Sequence, residues 1–208
     1  MRARLQRAGA EPGSVRIVAV TKGQSLAACR AAVAVGLTDL GENRVQEALT
    51  KMGQVPGADW HLVGRLQTNK ARHSGRFALI QSLDSARAAE AVARRAVPAA
   101  PPVLLEVNVA GAPQRPGVAP EQALEVAASV GELLDLRGLM AIAPLGADPG
   151  PSFRFLRRLR DEAEQRLGRE LPMLSMGMSD DFEAAVREGS TMVRLGRVLF
   201  GLADSGPG

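Results

Sequence analysis

Short apolar runs rich in β-forming residues alternate with alanine-rich amphipathic segments along the entire chain. This alternation is typical of parallel α/β architecture. We predict eight strands, at Val15–Thr21, Asp39–Gly41, Trp60–Gly64, Leu79–Leu83, Val103–Val109, Leu136–Ala143, Leu171–Gly177 and Thr191–Gly196. Helical segments are predicted between them, at Ser25–Val35, Asn43–Met52, Gln67–His73, Ser85–Arg95, Pro120–Gly131, Pro151–Leu167 and Ser179–Arg187, with a final short turn after Arg197.

Eight such steps favour a closed (β/α)₈ TIM barrel, since each step spans roughly 20 to 35 residues, the size of one βα unit. A doubly wound open sheet is the alternative fold. It would carry a glycine-rich fingerprint after its first strand, but Val20 leads into Thr21–Gln24, which lacks that pattern. A length of 208 residues fits one domain over residues 1–208. The Pro/Gly/Ala clusters Val97–Pro102 and Gly146–Ser152 are interpreted as loops within it.

Composition excludes several classes of protein. The chain is 46% hydrophobic and 23% charged, as in ordinary globular proteins, and no apolar run approaches the roughly 18 residues of a membrane span. The basic opening segment has no apolar stretch behind it, so we expect a cytoplasmic protein. A net charge of +4 without a concentrated patch, with only 3% aromatic residues, disfavours nucleic-acid binding. One cysteine and two histidines disfavour disulfides and structural zinc.

A lysine follows the first predicted strand, where functional residues gather in a barrel of this kind. Lys22 comes directly after Ile17–Thr21, so we expect its stem to lie against packed apolar walls at the barrel mouth. Desolvation there would disfavour the ammonium form and favour attack on a carbonyl to form a Schiff base. The alternative is a solvated lysine in a βα loop.

The last two strand ends predict a phosphate-binding site, which barrels often build from these loops and a short extra helix. Gly177 and Gly196 would permit close approach of an anion to the backbone. The remaining candidates are two hydroxyls and two cations, Ser175, Ser179, Arg194 and Arg197. Ser179 also suits the N-cap of a helix over Asp180–Arg187, and the two roles are compatible.

Other polar residues have ordinary structural interpretations. His61 beside Trp60 is expected to be a buried, hydrogen-bonded histidine before it is a base. Cys29 is expected to be a small core residue. Glu106 and Asn108 share a face of the fifth strand and are expected to form a buried polar layer in the barrel.

A lysine ending the first strand, with a phosphate site at the seventh and eighth, is the layout of barrel-type pyridoxal phosphate proteins. Six segments resemble the pyridoxal phosphate homeostasis protein family, also called the YggS/PROSC family: Val18–Lys22, Gly41–Glu47, Trp60–Lys70, Arg137–Ile142, Leu174–Phe182 and Gly189–Gly196. The resemblance runs from about Val15 to Gly201 in the same order. It implies an alanine-racemase-like barrel without metal, with pyridoxal 5′-phosphate held on Lys22.

The resemblance also implies a role for each matching residue. Asn43 would lie near the cofactor and Arg194 near its ring nitrogen or phosphate, while Ser175, Ser179 and Gly196 would lie near the phosphate. Met178 and Arg197 are also predicted to be cofactor-binding residues. The implied function is to store or deliver the cofactor, with apo pyridoxal phosphate enzymes as partners, in a monomer without established turnover.

Three departures from the family pattern stand out. The segment before the first strand is short, which predicts a reduced N-terminal helix. The loop Gly111–Gly117 has Arg115 where the family often has a lysine, which removes a secondary aldehyde site. Arg197 replaces a small residue and either tightens the anion site or crowds it.

An amino-acid racemase or decarboxylase on the same barrel is the alternative function. Such enzymes add a tyrosine or a cysteine from a further domain. This chain has no tyrosine, and its cysteine is predicted to lie within the first helix. A metal-dependent hydrolase is disfavoured, because the strand ends lack clusters of histidine and carboxylate.

Overall fold

The computed structural model describes residues 1–112 and 114–201 and confirms the predicted (β/α)₈ barrel. Eight parallel strands pair in chain order, and the eighth closes the barrel by pairing with the first over Arg16–Ala19. The strands are β1 (Arg16–Val20), β2 (Asp39–Glu42), β3 (Asp59–Leu62), β4 (Leu79–Leu83), β5 (Val103–Glu106), β6 (Leu136–Met140), β7 (Met173–Ser175) and β8 (Met192–Leu195).

Helices cover the outside of the barrel between the strands. They are α1 (Arg2–Arg7), α2 (Leu26–Ala34), α3 (Val45–Met52), α4 (Ala86–Arg95), α5 (Ala123–Leu133), α6 (Gly150–Leu167), α7 (Phe182–Arg187) and α8 (Arg197–Phe200), with 3₁₀ segments at Thr68–Arg76 and Pro120–Gln122. Side chains of Ser25 and Ser85 cap α2 and α4 by accepting N–H bonds of 3.2 Å. Within the described ranges no helix is long and apolar enough to cross a bilayer.

Several predicted strands extend too far at their C-terminal ends. β5 ends at Glu106 instead of Val109, and β6 ends at Met140 instead of Ala143. The apolar pattern continues past the last paired residue because the loops at the mouth are themselves packed, as the isolated bridge between Val107 and Val118 indicates. The N-terminal helix expected to be reduced is six residues long.

Alternation along the strands divides the core into two parts. An interior layer fills the barrel with Val18, Leu79, Leu104, Met140 and Met192. The larger part of the core lies between the strands and the helices. Because parallel strands are buried on both faces, their sequences are nearly continuous apolar runs, and polar residues inside the barrel are therefore exceptional.

Candidate functional site

Lys22 lies just past β1, on the face of the strand that points into the barrel. Val18, Val20 and Lys22 occupy alternate positions, and Val18 belongs to the interior layer. Thr21 N–H still donates to Gly41 O at 2.9 Å, so the extended pairing continues one residue beyond the strand. The Lys22 side chain itself is exposed. The expectation that apolar walls enclose it is therefore wrong, because the strand ends before the lysine is reached.

A buried cluster of charged side chains fixes the main chain on both sides of Lys22. Lys51 Nζ donates to Thr21 O (2.7 Å), to Glu42 Oε1 (2.7 Å) and to Glu47 Oε1 (2.8 Å). Thr21 Oγ1 also donates to Glu42 Oε1 at 2.7 Å. The residue before Lys22 is thus fixed through both its main chain and its side chain.

The same cluster fixes the residue after the lysine, since Gly23 N–H donates to Glu47 Oε1 at 2.8 Å. Burial raises the pKa of Glu42 in spite of its bonds to Lys51. Burial alone would lower the pKa of Lys51 and raise that of Glu47. The hydrogen bonds outweigh it, so the pKa of Lys51 is raised and that of Glu47 is lowered. Lys51 is therefore a charged structural group and not a free amine.

Asn43 follows β2 and is half-buried at the mouth. The loop after β3 packs so closely against it that a Cβ at Gly64 would clash with Asn43 O. Ser82 Oγ donates to Gly64 O at 2.6 Å and holds this approach in place. The position of Asn43 thus depends on a glycine that the sequence analysis did not single out.

Arg194 is a buried cation inside the barrel, on β8. Nη1 donates to Ser175 O (2.8 Å) and Ser175 Oγ (2.7 Å), and Nη2 donates to Ala141 O (2.8 Å). Among the residues that the structure describes, Glu106 and Asp181 act on its charge at longer range without bonding to it. Burial lowers the pKa of Arg194 to about 10, so it stays charged at neutral pH.

Glu106 is the buried carboxyl at the end of β5. Burial raises its pKa to about 7, against the opposing effect of Arg194. Its inward position agrees with the predicted polar layer. Asn108 does not share that position, because its Nδ2 donates to Ala112 O at 2.8 Å and organises the following loop.

The loops after β7 and β8 meet at Ser179. Its Oγ accepts Val198 N–H at 3.3 Å, which links the β7 loop to the first turn of α8. The prediction that Ser179 caps α7 is wrong, because the helix begins at Phe182 with Asp181 as N-cap. Asp181 Oδ1 accepts Met178 N–H at 2.6 Å, and the resulting turn occupies the residues before the helix.

The two glycines of the predicted phosphate site differ. Gly177 has φ +96°, and a Cβ there would lie 2.6 Å from Ala185 Cβ. That glycine is required by the close packing of α7 against the barrel, and the approach of an anion to its backbone stays a prediction. A Cβ at Gly196 would meet only Val20 atoms, at 3.5 Å or more, so the space beside Gly196 is open.

Arg197 follows Gly196 at the exposed rim of the mouth and forms an ion pair with Asp180. Its side chain therefore already has an acidic partner, unlike that of Arg194. Of the two predicted cations, the buried Arg194 is the stronger candidate for binding an anion.

A hydrogen-bonded chain of polar side chains crosses the barrel interior. His61 Nε2 bonds to Asp39 Oδ1 and His61 Nδ1 to Gln81 Nε2, both at 2.9 Å. Ser175 Oγ donates to Gln81 Oε1 at 2.6 Å and accepts from Arg194. This confirms His61 as a buried, paired histidine. Sequence reasoning missed Gln81, although a polar residue inside an apolar strand was the available signal.

Cys29 is fully buried in α2, as predicted for a core residue, and burial raises the pKa of its thiol. Lys51 and Glu42 were also missed as functional supports. The only sequence signal for Lys51 was its spacing of four residues from Glu47 on one helix, which predicts an ordinary surface pair.

A cavity of about 300 Å³ lies at the opposite end of the barrel, between α1 and the start of β1. Arg16, Asp39 and Glu11 are among its lining residues, whereas Lys22 and Arg194 are not. We place the candidate site at the mouth, because the amine, the buried cation and the open backbone beside Gly196 converge there.

Comparison with known proteins agrees with this geometry. The family model of the alanine racemase N-terminal domain matches residues 1–204. The chain is 42% identical to the pyridoxal phosphate homeostasis protein of Pseudomonas aeruginosa over 208 residues, covering 97% of this chain and 90% of that one. It is 41% identical to the protein of that name from Aquifex aeolicus, covering 94% and 90%. The chain belongs to the pyridoxal phosphate homeostasis protein family. The Escherichia coli member is 34% identical, covering 95% and 90%.

Solved structures agree with this family assignment. PipY of Synechococcus elongatus PCC7942 with PLP bound superposes with a TM-score of 0.85 at 37% identity, covering 96% of this chain and 98% of that one. Its structure without PLP gives 0.87 at 38% identity, with the same coverage. Alanine racemase of Clostridium difficile, complexed with cycloserine, shares the fold with a TM-score of 0.76 at 15% identity, and the match covers 98% of this chain and 58% of that chain.

Most residues expected from the family pattern lie at one end of the barrel. Lys22, Asn43, Met178, Ser179, Gly196 and Arg197 follow the C-terminal ends of β1, β2, β7 and β8. Ser175 and Arg194 lie deeper and are bonded to each other. The structure therefore divides the family's motif residues into a rim and a buried pair.

Proposed function

We propose that this protein binds pyridoxal 5′-phosphate at the barrel mouth with Lys22 as the covalent anchor, and stores the cofactor or delivers it to apo-enzymes. One arrangement carries the proposal: an exposed primary amine follows β1, and the neighbouring strand β8 carries a buried cation near the same end of the barrel. Val18 pairs with Arg194 across β1 and β8, and Gly196 lies beside Val20. The amine at the end of β1 is thus next to the predicted phosphate site. We further propose that the protein works as a monomer.

The choice of amine rests on the surroundings of the three lysines. Lys51 donates to three oxygens and is buried, so it has no capacity to capture an aldehyde. Lys70 lies on the 3₁₀ segment that follows β3. In the described part of the chain only Lys22 combines an inward-facing strand end with an exposed side chain.

The residues present fit a phosphorylated ring. The loops after β7 and β8 are joined through Ser179, and the first turn of α8 leaves N–H groups without partners inside the helix. We assign the phosphate to Ser179, Gly196 and the main-chain N–H of Arg197, since the N–H of Met178 is already bonded to Asp181. Three of the five N–H groups of Arg194 are bonded within the protein, which leaves two for a ligand.

When bound, pyridoxal phosphate supplies an aldehyde that condenses reversibly with a primary amine. The chain's own residues position that amine, since Lys51 and Glu47 hold the loop on both sides of Lys22. Arg194 provides a fixed positive charge near the ring nitrogen or the phosphate. A cation beside a ring nitrogen disfavours its protonation and weakens the ring as an electron sink. This combination suits a carrier better than a catalyst.

Absence of turnover is a further part of the proposal. Racemisation needs an acid on each face of the substrate, and the chain has no tyrosine. Cys29 is buried in α2, and His61 has both ring nitrogens bonded inside the barrel. The similarity to alanine racemase concerns the fold alone and adds no support for that activity.

The anchor is tested by borohydride reduction of the loaded protein followed by peptide mass spectrometry. We expect the adduct on Lys22 and its loss in Lys22→Ala, with the free energy of unfolding changed by less than about 0.5 kcal/mol because the side chain is exposed. Lys70→Ala is the matched control and should keep the adduct. An adduct on Lys51 or Lys70 with Lys22 unmodified would refute the assignment.

Delivery is tested by incubating the loaded protein with an apo pyridoxal phosphate enzyme and, in parallel, with L- and D-amino acids. Recovery of the acceptor's activity without racemised or decarboxylated product supports a carrier. Steady multiple turnovers of an amino acid would contradict it.

A further inference from the structure

The interior hydrogen-bond chain runs from one end of the barrel to the candidate site. It joins five strands in the order Asp39, His61, Gln81, Ser175 and Arg194, with each contact between 2.6 and 2.9 Å. Four of its members are buried, and only Asp39 reaches the N-terminal end, where it pairs with Arg16. The proposed cofactor site uses Arg194 and gives no role to His61 and Gln81.

The hydrogen bonds from Arg194 to Asp39 all donate in the same direction. Arg194 N–H groups are always donors, so Ser175 Oγ accepts from them and donates its own proton to Gln81 Oε1. Gln81 must then present Nε2 to His61, whose Nδ1 accepts. His61 therefore carries its proton on Nε2, where Asp39 accepts it.

Turning the Gln81 amide round would break this order. Its Nε2 would then face Ser175 Oγ, which already accepts from Arg194, and the Ser175 proton would lose the acceptor that it has now. A second contact favours the observed orientation, since Gln81 Nε2 also lies 3.2 Å from the sulfur of Met192, a weak acceptor. The tautomer of His61 and the orientation of Arg194 are thus coupled through two side chains.

We propose that His61 and Gln81 are positioning residues that hold Ser175 and Arg194 in one orientation toward the cofactor. The inference rests on the proposed function, because Arg194 is taken to be the cation that meets the ligand. His61 itself does not reach the mouth, since both of its ring nitrogens are occupied and it is 1% exposed. Its influence on the ligand therefore passes through Gln81 and Ser175.

Three variants separate positioning from simple packing. Gln81→Leu removes the acceptor of Ser175 and the donor to His61 while nearly keeping volume. Gln81→Glu keeps the acceptor of Ser175 but places an oxygen opposite His61 Nδ1. Leu104→Val is the matched control, because it disturbs the interior layer without touching the chain.

We expect Gln81→Leu to weaken pyridoxal phosphate binding about tenfold, the effect of one buried hydrogen bond, and Leu104→Val to change it less than twofold. In the unliganded protein, NMR should show the His61 proton on Nε2 and slow exchange of the Arg194 side-chain N–H groups. Gln81→Leu should accelerate that exchange, and Gln81→Glu should restore it while adding a proton to His61 Nδ1.

Equal loss of affinity in Gln81→Leu and Leu104→Val, or unchanged Arg194 exchange in Gln81→Leu, would overturn the positioning role. A proton on His61 Nδ1 in the unaltered protein would also overturn it. Failure of the unaltered protein to bind pyridoxal phosphate would instead overturn the proposed function. The two failures can be distinguished because the exchange and tautomer measurements are made without ligand.

Discussion

Two buried groups of charges lie on opposite faces of the barrel wall. Behind β1 and β2, Lys51 contacts two carboxylates directly at 2.7 and 2.8 Å. Inside the barrel, Arg194 is at least as buried, yet its bonds go to neutral oxygens of Ser175 and Ala141. One cation is compensated by the protein and the other is left partly uncompensated.

This difference in pairing separates a cation that supports the fold from a cation that can bind a ligand. A buried charge is costly unless it is paired, and all three N–H groups of Lys51 are bonded within the protein, so this lysine fixes a loop. The charge of Arg194 can be compensated further by an anion that enters the mouth. The Lys51 cluster should therefore govern stability, and Arg194 should govern affinity.

The largest effect is expected from Lys51→Met, which leaves the fully buried Glu42 without its cation. Removing one partner of a buried ion pair typically lowers the free energy of unfolding by about 3 to 5 kcal/mol, measurable by urea denaturation. Lys70→Met serves as the control and should change stability by less than about 0.5 kcal/mol. A loss below about 1 kcal/mol in Lys51→Met would remove the distinction between the two clusters.

A reversed pattern is expected for Arg194→Met. Loss of charged hydrogen bonds to the ligand should weaken pyridoxal phosphate binding roughly 30-fold to 150-fold, about 2 to 3 kcal/mol, with a smaller change in stability. Arg94→Met is the matched control, because that side chain is exposed on α4 and paired with Glu90. Unaltered affinity in Arg194→Met would show that the buried cation does not meet the ligand.

Measuring the affinity for pyridoxal, which lacks the phosphate, shows which part of the ligand Arg194 contacts. If the guanidinium contacts the phosphate, Arg194→Met should largely remove the preference for the phosphorylated ligand. If it lies by the ring nitrogen, both ligands should weaken in parallel.

The smallest effect concerns Glu106, which shares the interior with Arg194. Burial raises its pKa from 4.5 to about 7, so the folded protein keeps a proton there that the unfolded chain has lost. Stability should therefore fall as pH rises from about 4.5 to 7 and then level off. Ionised Glu106 also opposes an anion, so affinity should weaken a few-fold over the upper part of this range.

Glu106→Gln should flatten both pH profiles, since the amide does not titrate. Urea unfolding and ligand titration at pH 5, 6, 7 and 8 provide the measurement. A profile of the same slope in Glu106→Gln would assign the pH dependence to another group.

Local pattern was sufficient for the barrel and for the position of its rim residues. Eight alternations predicted eight strands, and the end of each apolar run placed Lys22 and Asn43 close to the mouth. Local signals failed where a residue's role depended on a distant partner. Ser179 was predicted to cap the adjacent helix, but it accepts from Val198 across two loops.

By itself, the sequence determined the period of the βα units and which residues end the strands, because both follow from patterns within a few residues. Only the tertiary structure decided which polar groups are paired. Ser175 and Gln81 are 94 residues apart in the chain and meet because the barrel closes. Lys51 reaches Thr21 because α3 packs against β2, which pairs with β1. Whether a buried charge supports the fold or awaits a ligand depends on such contacts, and no local pattern encodes them.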